Sequence, residues 1–343
     1  MNGRIHRQPQ WFASLLGAEL PGEGETFTAN GVTMVVQAGI PRAVETLSES
    51  QDQTSDTFGF KWQKRDTFEN GVSSFLANWL VEKYGDITQW DLFQGELGDG
   101  PLPIVLDAGC GAGVSGLAYF APVFDRINYL GADVSVAVDT AAARASERGA
   151  DAAIVQADLM KLPLPPNCVD FVFSEGVLHH TDDTQRALAA VTRHLKPGGH
   201  ILFYVYRRKG PIREFTDDYI RDKLKPLSPE QGWEAMMPLT KLGQALGQLD
   251  IEIDVPERID LLDIPAGPIN LQRLVYWHVF KAFYRQDMTL DEMNHINFDW
   301  YAPVNAHRQS IEEVRDWCAD LSLSIEREVV EDAGITIIAK KMS

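Results

Sequence analysis

The sequence predicts an α/β fold. A seven-stranded, mostly parallel sheet should carry helices on both faces, with an N-terminal cover and a helical lid inserted before its last two strands. Three observations carry this. The apolar run Ile104-Val-Leu106 ends in Asp107 and a turn holding Gly109, Gly111 and Gly113, as a buried parallel strand leading into a tight turn would. Short apolar runs alternate with helical segments from there to residue 206, the pattern of parallel strands with crossover helices. Two β-branched or alternating runs, 323–331 and 335–341, close the chain and read as a final antiparallel hairpin.

The elements follow in order. Asn128-Tyr-Leu-Gly-Ala-Asp133-Val-Ser135 is a second strand ending in an acid, and Ser135 is placed to cap an alanine-rich helix over 135–148. Ala152-Ala-Ile-Val-Gln-Ala157-Asp158 is a third strand, again with an acid at its end. Cys168-Val-Asp170-Phe-Val-Phe-Ser174 is a fourth, whose exit loop runs through His179-His180 to Thr181-Asp-Asp183. Leu195-Lys-Pro-Gly-Gly199 leads into a fifth strand, His200–Tyr206.

The acid before the glycines decides between ligands. A dinucleotide pyrophosphate is held by backbone N–H groups at a helix N-terminus, and a carboxylate at the strand tip repels it. That carboxylate suits an ammonium group. Gly111-Ala-Gly113-Val-Ser-Gly116 does match G-x-G-x-x-G, with Asp133 downstream, at about the 20-residue spacing of a ribose-binding acid. The match is out of register, because Asp107-Ala-Gly-Cys separates the strand from its first glycine.

Taken together, Asp107-Ala-Gly-Cys-Gly-Ala-Gly, Asp133, Asp158 and the His179-His180 exit loop, in this order over about a hundred residues, resemble class I S-adenosylmethionine (SAM) methyltransferases of the small-molecule, type 11-like group. The resemblance implies a Rossmann-like core with SAM as cofactor. It places the methionine moiety at Asp107, Gly109, Cys110 and Gly111, the ribose at Asp133 beside Val134, and the adenine at Asp158 and Leu159, with Ser174 at the fourth strand's tip. Ligands in such sheets bind beyond the carboxyl ends of the strands, near the topological switch point.

Composition bounds the rest. The chain has 343 residues, of which 45% are hydrophobic, enough for a large core. No apolar run reaches a membrane span's length of about 18 residues, and the first residues lack the apolar stretch of a signal peptide. Three widely spaced cysteines, Cys110, Cys168 and Cys318, suggest a reducing, cytoplasmic setting and no zinc ribbon or other metal site. The net charge of −18 argues against a nucleic-acid partner. The one compact basic run, Arg207-Arg-Lys209, reads as a solvated loop or an anion contact. Oligomeric state is not readable.

Four segments are expected: a cover over 1–100, a SAM-binding core over 101–208, a helical insertion over 209–320, and the last two strands over 321–343. Residues 20–31 look loop-like, and 48–57 contain no apolar residue, so that stretch should be exposed or mobile. Beyond it lies Phe58-Gly-Phe-Lys-Trp62-Gln-Lys-Arg65, then a helix carrying Phe75, Leu76, Trp79, Leu80 and Tyr84 at helical spacing. In the resembled group such a stretch covers SAM and acceptor, which gives Trp62 and Arg65 to the cofactor and Phe58 to the acceptor. Ordinary packing is the competing reading. The insertion holds an aromatic stripe over 276–284 that reads as core before it reads as a ligand box. Its run Asn297–Arg308 reads as an irregular loop with pocket chemistry. Tyr206, Asp299, Trp300 and Arg308 are candidate acceptor contacts, Arg308 for a carboxylate. His179, His180, Tyr301 and His307 are candidate catalytic groups. A base is required only when the acceptor is protonated.

The expected activity is methyl transfer from SAM to a small-molecule acceptor. Two alternatives stay open. One is attack on, or cyclisation of, SAM's aminocarboxypropyl chain, with release of methylthioadenosine. The other is a SAM-binding module without catalysis.

Overall fold

The computed structural model describes residues 5–44, 46–64, 72–94 and 101–342. Its centre is one sheet with strand order β1-β2-β3-β6-β5-β4-β7-β8-β12-β11. Strands β4 (Ile104–Ala108), β5 (Asn128–Asp133), β6 (Ala152–Gln156), β7 (Val169–Glu175) and β8 (Leu195–Tyr206) run parallel. The hairpin β11 (Leu323–Val330) and β12 (Gly334–Lys341) is antiparallel to β8. These are the seven expected strands. From β4 the chain builds outward to β6, then returns to place β7 on β4's other side, so the switch point lies between β4 and β7.

Alternation along the strands sorts side chains onto two faces. Leu106, Ala108, Leu130 and Val172 pack in one cluster with the helices Gln10–Leu16, Thr184–His194 and Ile311–Asp320. Val105, Tyr129, Phe171 and Phe173 pack in the other with Val72–Tyr84, Val114–Tyr119 and Val138–Glu147.

Three further strands depart from expectation. β1 (Thr26–Ala29), β2 (Val32–Gln37) and β3 (Ile40–Ala43) form an antiparallel meander that joins β6 through Arg42 and Gln156. Residues 20–31 are therefore not simply loop. Two-residue turns at Asn30-Gly31 and Ala38-Gly39, all four with positive φ, match the twist of the flanking strands. Burial alternates along Val32–Gln37.

Residues 48–57 are not an exposed stretch either. Ser48 caps a helix over Glu49–Gln63, in which Gln51, Thr54 and Thr57 are buried. Its inner face is polar, so no hydrophobic period announced it. Other boundaries move as well. The helix expected from Ser135 begins at Val138; the Ser135 hydroxyl donates to Asp133 and accepts from Ala137 N at 3.3 Å, so it caps the turn that leads in. The 276–284 stripe leaves its helix at His278. Asn297–Tyr301 is the last turn and a half of the helix Leu290–Tyr301, not a loop; the irregular backbone is 302–309.

The insertion between β8 and β11 has its own small core of Tyr206, Trp233, Met236, Phe298, Trp300 and Tyr301. Capping boxes start three of its helices, at Ser228, Thr289 and Ser310. It also carries a two-stranded sheet, β9 (Glu252–Val255) with β10 (Gly267–Asn270). Gln309 N donates to the Tyr206 carbonyl at 2.9 Å, so the chain returns to where it left the sheet.

Candidate functional site

A cavity of about 550 Å³ opens over the carboxyl ends of β4 to β7, within the size range of small-molecule sites. The sheet makes one wall. After β4 the backbone turns through Gly109, Gly111 and Gly113, with φ of 86°, 51° and 71°, a region costly for other residues. At Gly109 there is also no room: an added Cβ would lie 2.1 Å from a Val177 methyl carbon.

Asp133, at the tip of β5, holds this turn. Its Oδ2 accepts from Gly111 N at 2.9 Å, and its Oδ1 accepts from the Ser135 N–H at 2.8 Å and hydroxyl at 2.6 Å. Burial raises the Asp133 carboxyl, and these bonds oppose the rise. Asp107 is buried beneath the turn, where Tyr129 donates its hydroxyl to the carboxylate. Burial, opposed by that bond, lifts Asp107 to about 7. The third glycine of the G-x-G-x-x-G pattern has a purpose of its own here. A Cβ on Gly116 would sit 2.0 Å from Asp107 Oδ2 and 2.5 Å from the Tyr129 hydroxyl. At the tip of β6, Asp158 accepts from Met160 N at 2.9 Å and so holds Leu159 in the lining.

The facing wall comes from the cover helix Glu49–Gln63 and the insertion. Gly59 crosses the β5 exit against Val136, and the Trp62 indole lies over Gly111. Lys61 pairs with Asp299 of the insertion, and its ammonium stands 4.1 Å from the centre of the Trp62 ring. Burial would raise the Asp299 carboxyl, but Lys61 outweighs it and holds the group far below the usual carboxylate range. Further polar contacts bind the helix to the insertion. Gln53 bridges the Ala302 carbonyl and Val304 N, and Thr54 Oγ1 accepts from Asn305 N at 3.2 Å. Asp182 gathers Ser48, Ser50 and Asn305.

Between the walls lie His180, Tyr204, Tyr206 and Glu175. His180 Nδ1 is 2.6 Å from the Asn305 carbonyl. A carbonyl only accepts, so Nδ1 carries the proton and Nε2 keeps its lone pair. Burial pushes His180 down to about 4, leaving it neutral at pH 7. Glu175 takes Lys83 and the Tyr84 hydroxyl.

The cavity gathers Phe58, Trp62, Asp107, Gly109, Cys110, Gly111, Asp133, Val134, Asp158, Leu159, His180, Tyr206 and Asp299 from the residues expected at a site. Others lie outside its lining. Ser174 bonds the Ala108 carbonyl at 2.9 Å and ties β7 to β4. His179 is fully buried behind His180, its ring 3.7 Å from the Tyr206 ring centre. Trp300 and Tyr301 donate to the buried Asp217 at 2.8 and 2.9 Å. His307 is exposed, with its backbone N–H on the His179 carbonyl. Arg308 is committed to Glu214 and Asp218, so it is a strut of the insertion and not a free carboxylate receptor. Arg65 lies outside the described residues.

Sequence reasoning missed Gln51, Thr54, Lys61, Trp79, Glu175 and Tyr204 in the lining. For Glu175 a signal existed, since it sits at a strand tip as Asp107, Asp133 and Asp158 do. Among the described residues no group of acids, histidines and cysteines is placed to hold a metal ion, and no helix is long and apolar enough to cross a membrane.

Comparison with known proteins gives the following. A family model described as a methyltransferase domain matches residues 106–203. Phosphoethanolamine N-methyltransferase 1 of Arabidopsis thaliana is 32% identical over 136 residues, 39% of this chain and 27% of that protein. The tRNA (carboxymethyluridine(34)-5-O)-methyltransferase of Schizosaccharomyces pombe is 29% identical over 198 residues, 56% of this chain and 74% of that protein. The chain thus spans about a quarter of the former's length. A solved SAM-dependent methyltransferase from Aquifex aeolicus is 15% identical, with a TM-score of 0.38 over 79% of this chain and 98% of that one.

Proposed function

The chain carries a class I SAM-dependent methyltransferase domain, and we propose that it uses that domain to methylate a small organic acceptor held between the sheet and the facing wall. The observation that carries this reading is the cavity itself. Its one space is lined by the glycine turn and the strand-tip acids on one side and by Phe58, Tyr206 and Asp299 on the other.

SAM is the cofactor of this domain, and the residues present fit it. The glycine turn is a cradle that side chains would fill, and carboxylates at successive strand tips suit an ammonium and ribose hydroxyls. In this reading Asp107, Gly109, Cys110 and Gly111 hold the methionine moiety, Asp133 and Val134 the ribose, and Asp158 and Leu159 the adenine. Trp62 covers the whole from the helix Glu49–Gln63. When bound, SAM supplies a methyl group activated by its sulfonium. The protein then has to hold the acceptor in line and exclude water. His180, neutral and fixed in one tautomer by Asn305, is the group placed to take a proton from the acceptor.

In this reading residues 101–208 are the cofactor-binding core and the helix Glu49–Gln63 with the insertion over 209–320 forms the enclosure, while the meander at 26–43 extends the sheet. The cavity's size and the chain's net charge of −18 support a small acceptor over a polyanionic one. Incubation with SAM and cell extract, read by mass, tests the reading. S-adenosylhomocysteine with a methylated small molecule is expected. Methylthioadenosine would mean that the other side chain of SAM reacts, and a methylated RNA would move the acceptor to another class.

A further inference from the structure

We infer that the acceptor carries an organic ammonium group, and that Asp299, set in an aromatic wall, is the residue that recognises it. This rests on the reading of the cavity as a methyl-transfer site and names the chemistry of its acceptor end.

Among the described residues the cavity wall holds five carboxylates, Asp107, Asp133, Asp158, Glu175 and Asp299, against one lysine, Lys61. Three of the acids stand at the tips of β4 to β6, where the cofactor reading uses them. Asp299 and Glu175 come from elsewhere, the insertion helix and the exit of β7, and each is ion-paired: Glu175 gives one oxygen to Lys83 at 2.6 Å and the other to the Tyr84 hydroxyl, whereas Asp299 gives only one, to Lys61. Tyr204 stands between them. Burial chiefly raises its hydroxyl, and both Glu175 and Asp299 push it further in the same direction.

Each paired lysine also rests on aromatic rings. Lys83 is not part of the wall; its ammonium stands 3.5 Å from the Tyr204 ring centre and 4.4 Å from that of Trp79. Lys61 rests against Trp62 and Phe58 at 4.1 and 5.3 Å. Asp299 gives one oxygen to Lys61, while its other meets only a long 3.4 Å contact from the Tyr206 hydroxyl. That oxygen has acceptor capacity to spare. The surrounding surface is aromatic, with Phe58, Trp79, Tyr204 and Tyr206 in the lining. Ring faces attract cations, and more strongly where water is excluded. An anionic acceptor would meet the open oxygen of Asp299 at this end and a chain of net charge −18 on approach.

The test uses the full chain saturated with S-adenosylhomocysteine and two probes of equal size and opposite charge, phenethylammonium and phenylacetate. Titration with S-adenosylhomocysteine alone comes first and reports on the cofactor reading separately. Calorimetry should then show phenethylammonium binding at least about tenfold more tightly than phenylacetate. Lys61→Met, which removes the competing cation, should tighten the ammonium probe several-fold. Asp299→Asn strands a buried lysine and is therefore paired with Lys61→Met. The double variant should lose the gain of the single one. Failure of phenethylammonium to bind, phenylacetate binding as tightly, or a double variant that binds the ammonium probe as tightly as Lys61→Met overturns the inference.

Discussion

The two walls of the cavity are built by opposite means. The sheet wall is made of neighbours: the glycine turn leaves β4 directly, and the bond from Gly111 N to Asp133 joins that turn to the tip of the adjacent strand β5. The backbone ladder of β4, β5 and β6 fixes their relative positions before any side chain contributes. The facing wall is made of strangers. Lys61 meets Asp299 across 238 positions, Asn305 meets Thr54 across 251, and Ser48 meets Asp182 across 134. These contacts join the cover helix to the insertion helix, to the irregular stretch after it and to the β7 exit loop, and beside them Phe60 packs on Trp233 and Phe298. An interface made of a few long-range contacts can open without disturbing the sheet, which suits a lid that must admit and release ligands. On the proposed reading the comparison teaches a division of labour, in which the wall fixed by the fold holds the cofactor and the wall held by long-range contacts encloses and selects the acceptor.

The largest expected effect breaks the sheet wall. Gly116→Ala drives a methyl group into the Asp107–Tyr129 pair and should cost about 1–3 kcal/mol of stability or more, read as a lower Tm and weaker SAM binding together. Damage to the facing wall should look different. Trp62→Ala removes the cover over Gly111 and should lower kcat about tenfold or more with the core still folded, by turnover assays beside circular dichroism. Hydrogen exchange sharpens the contrast. Residues 49–63 and 302–305 should gain protection when SAM and acceptor are present, and β4 to β6 should change little.

A smaller effect follows from pH. Burial lifts Asp107 to about 7, so its charge is lost as pH falls through that value. SAM affinity should therefore weaken below about pH 7, by at most about tenfold per pH unit, and the dependence should vanish in Asp107→Asn. His180, pushed down to about 4, should add no inflection near neutrality. The smallest effect is Arg308→Ala. Its guanidinium is spent on Glu214 and Asp218, so stability should fall by about 1 kcal/mol and the acceptor's KM should hold steady.

The same division explains what the sequence made legible. Asp107, the glycines, Asp133 and Asp158 were readable because a parallel strand, a tight turn and a terminal acid are neighbours in the chain. The meander at 26–43 was readable in principle from Asn30-Gly31 and the alternation of Val32, Met34 and Val36, but its glycines read as loop. The first part of the helix Glu49–Gln63 left no apolar trace, because its buried face there is Gln51, Thr54 and Thr57. Its cap at Ser48 and the acids Glu49 and Asp52 in its first turn were the remaining signal. Asp299 was singled out and its partner Lys61 was not, since nothing local announces a pairing between residues so far apart. Arg308 looked free for a ligand because Glu214 and Asp218 lie some ninety residues earlier.

The central claim is that the strand-tip acids hold SAM, and one calorimetric titration tests it most directly. SAM is titrated into the wild-type chain, Asp107→Ala and Asp133→Ala, with folding checked in each. Loss of hydrogen bonds to a charged group should cost about 1.5–3 kcal/mol of binding at Asp133, with a weakening also at Asp107. Unchanged affinity in both variants would contradict the account and move the cofactor away from the carboxyl ends of β4 and β5.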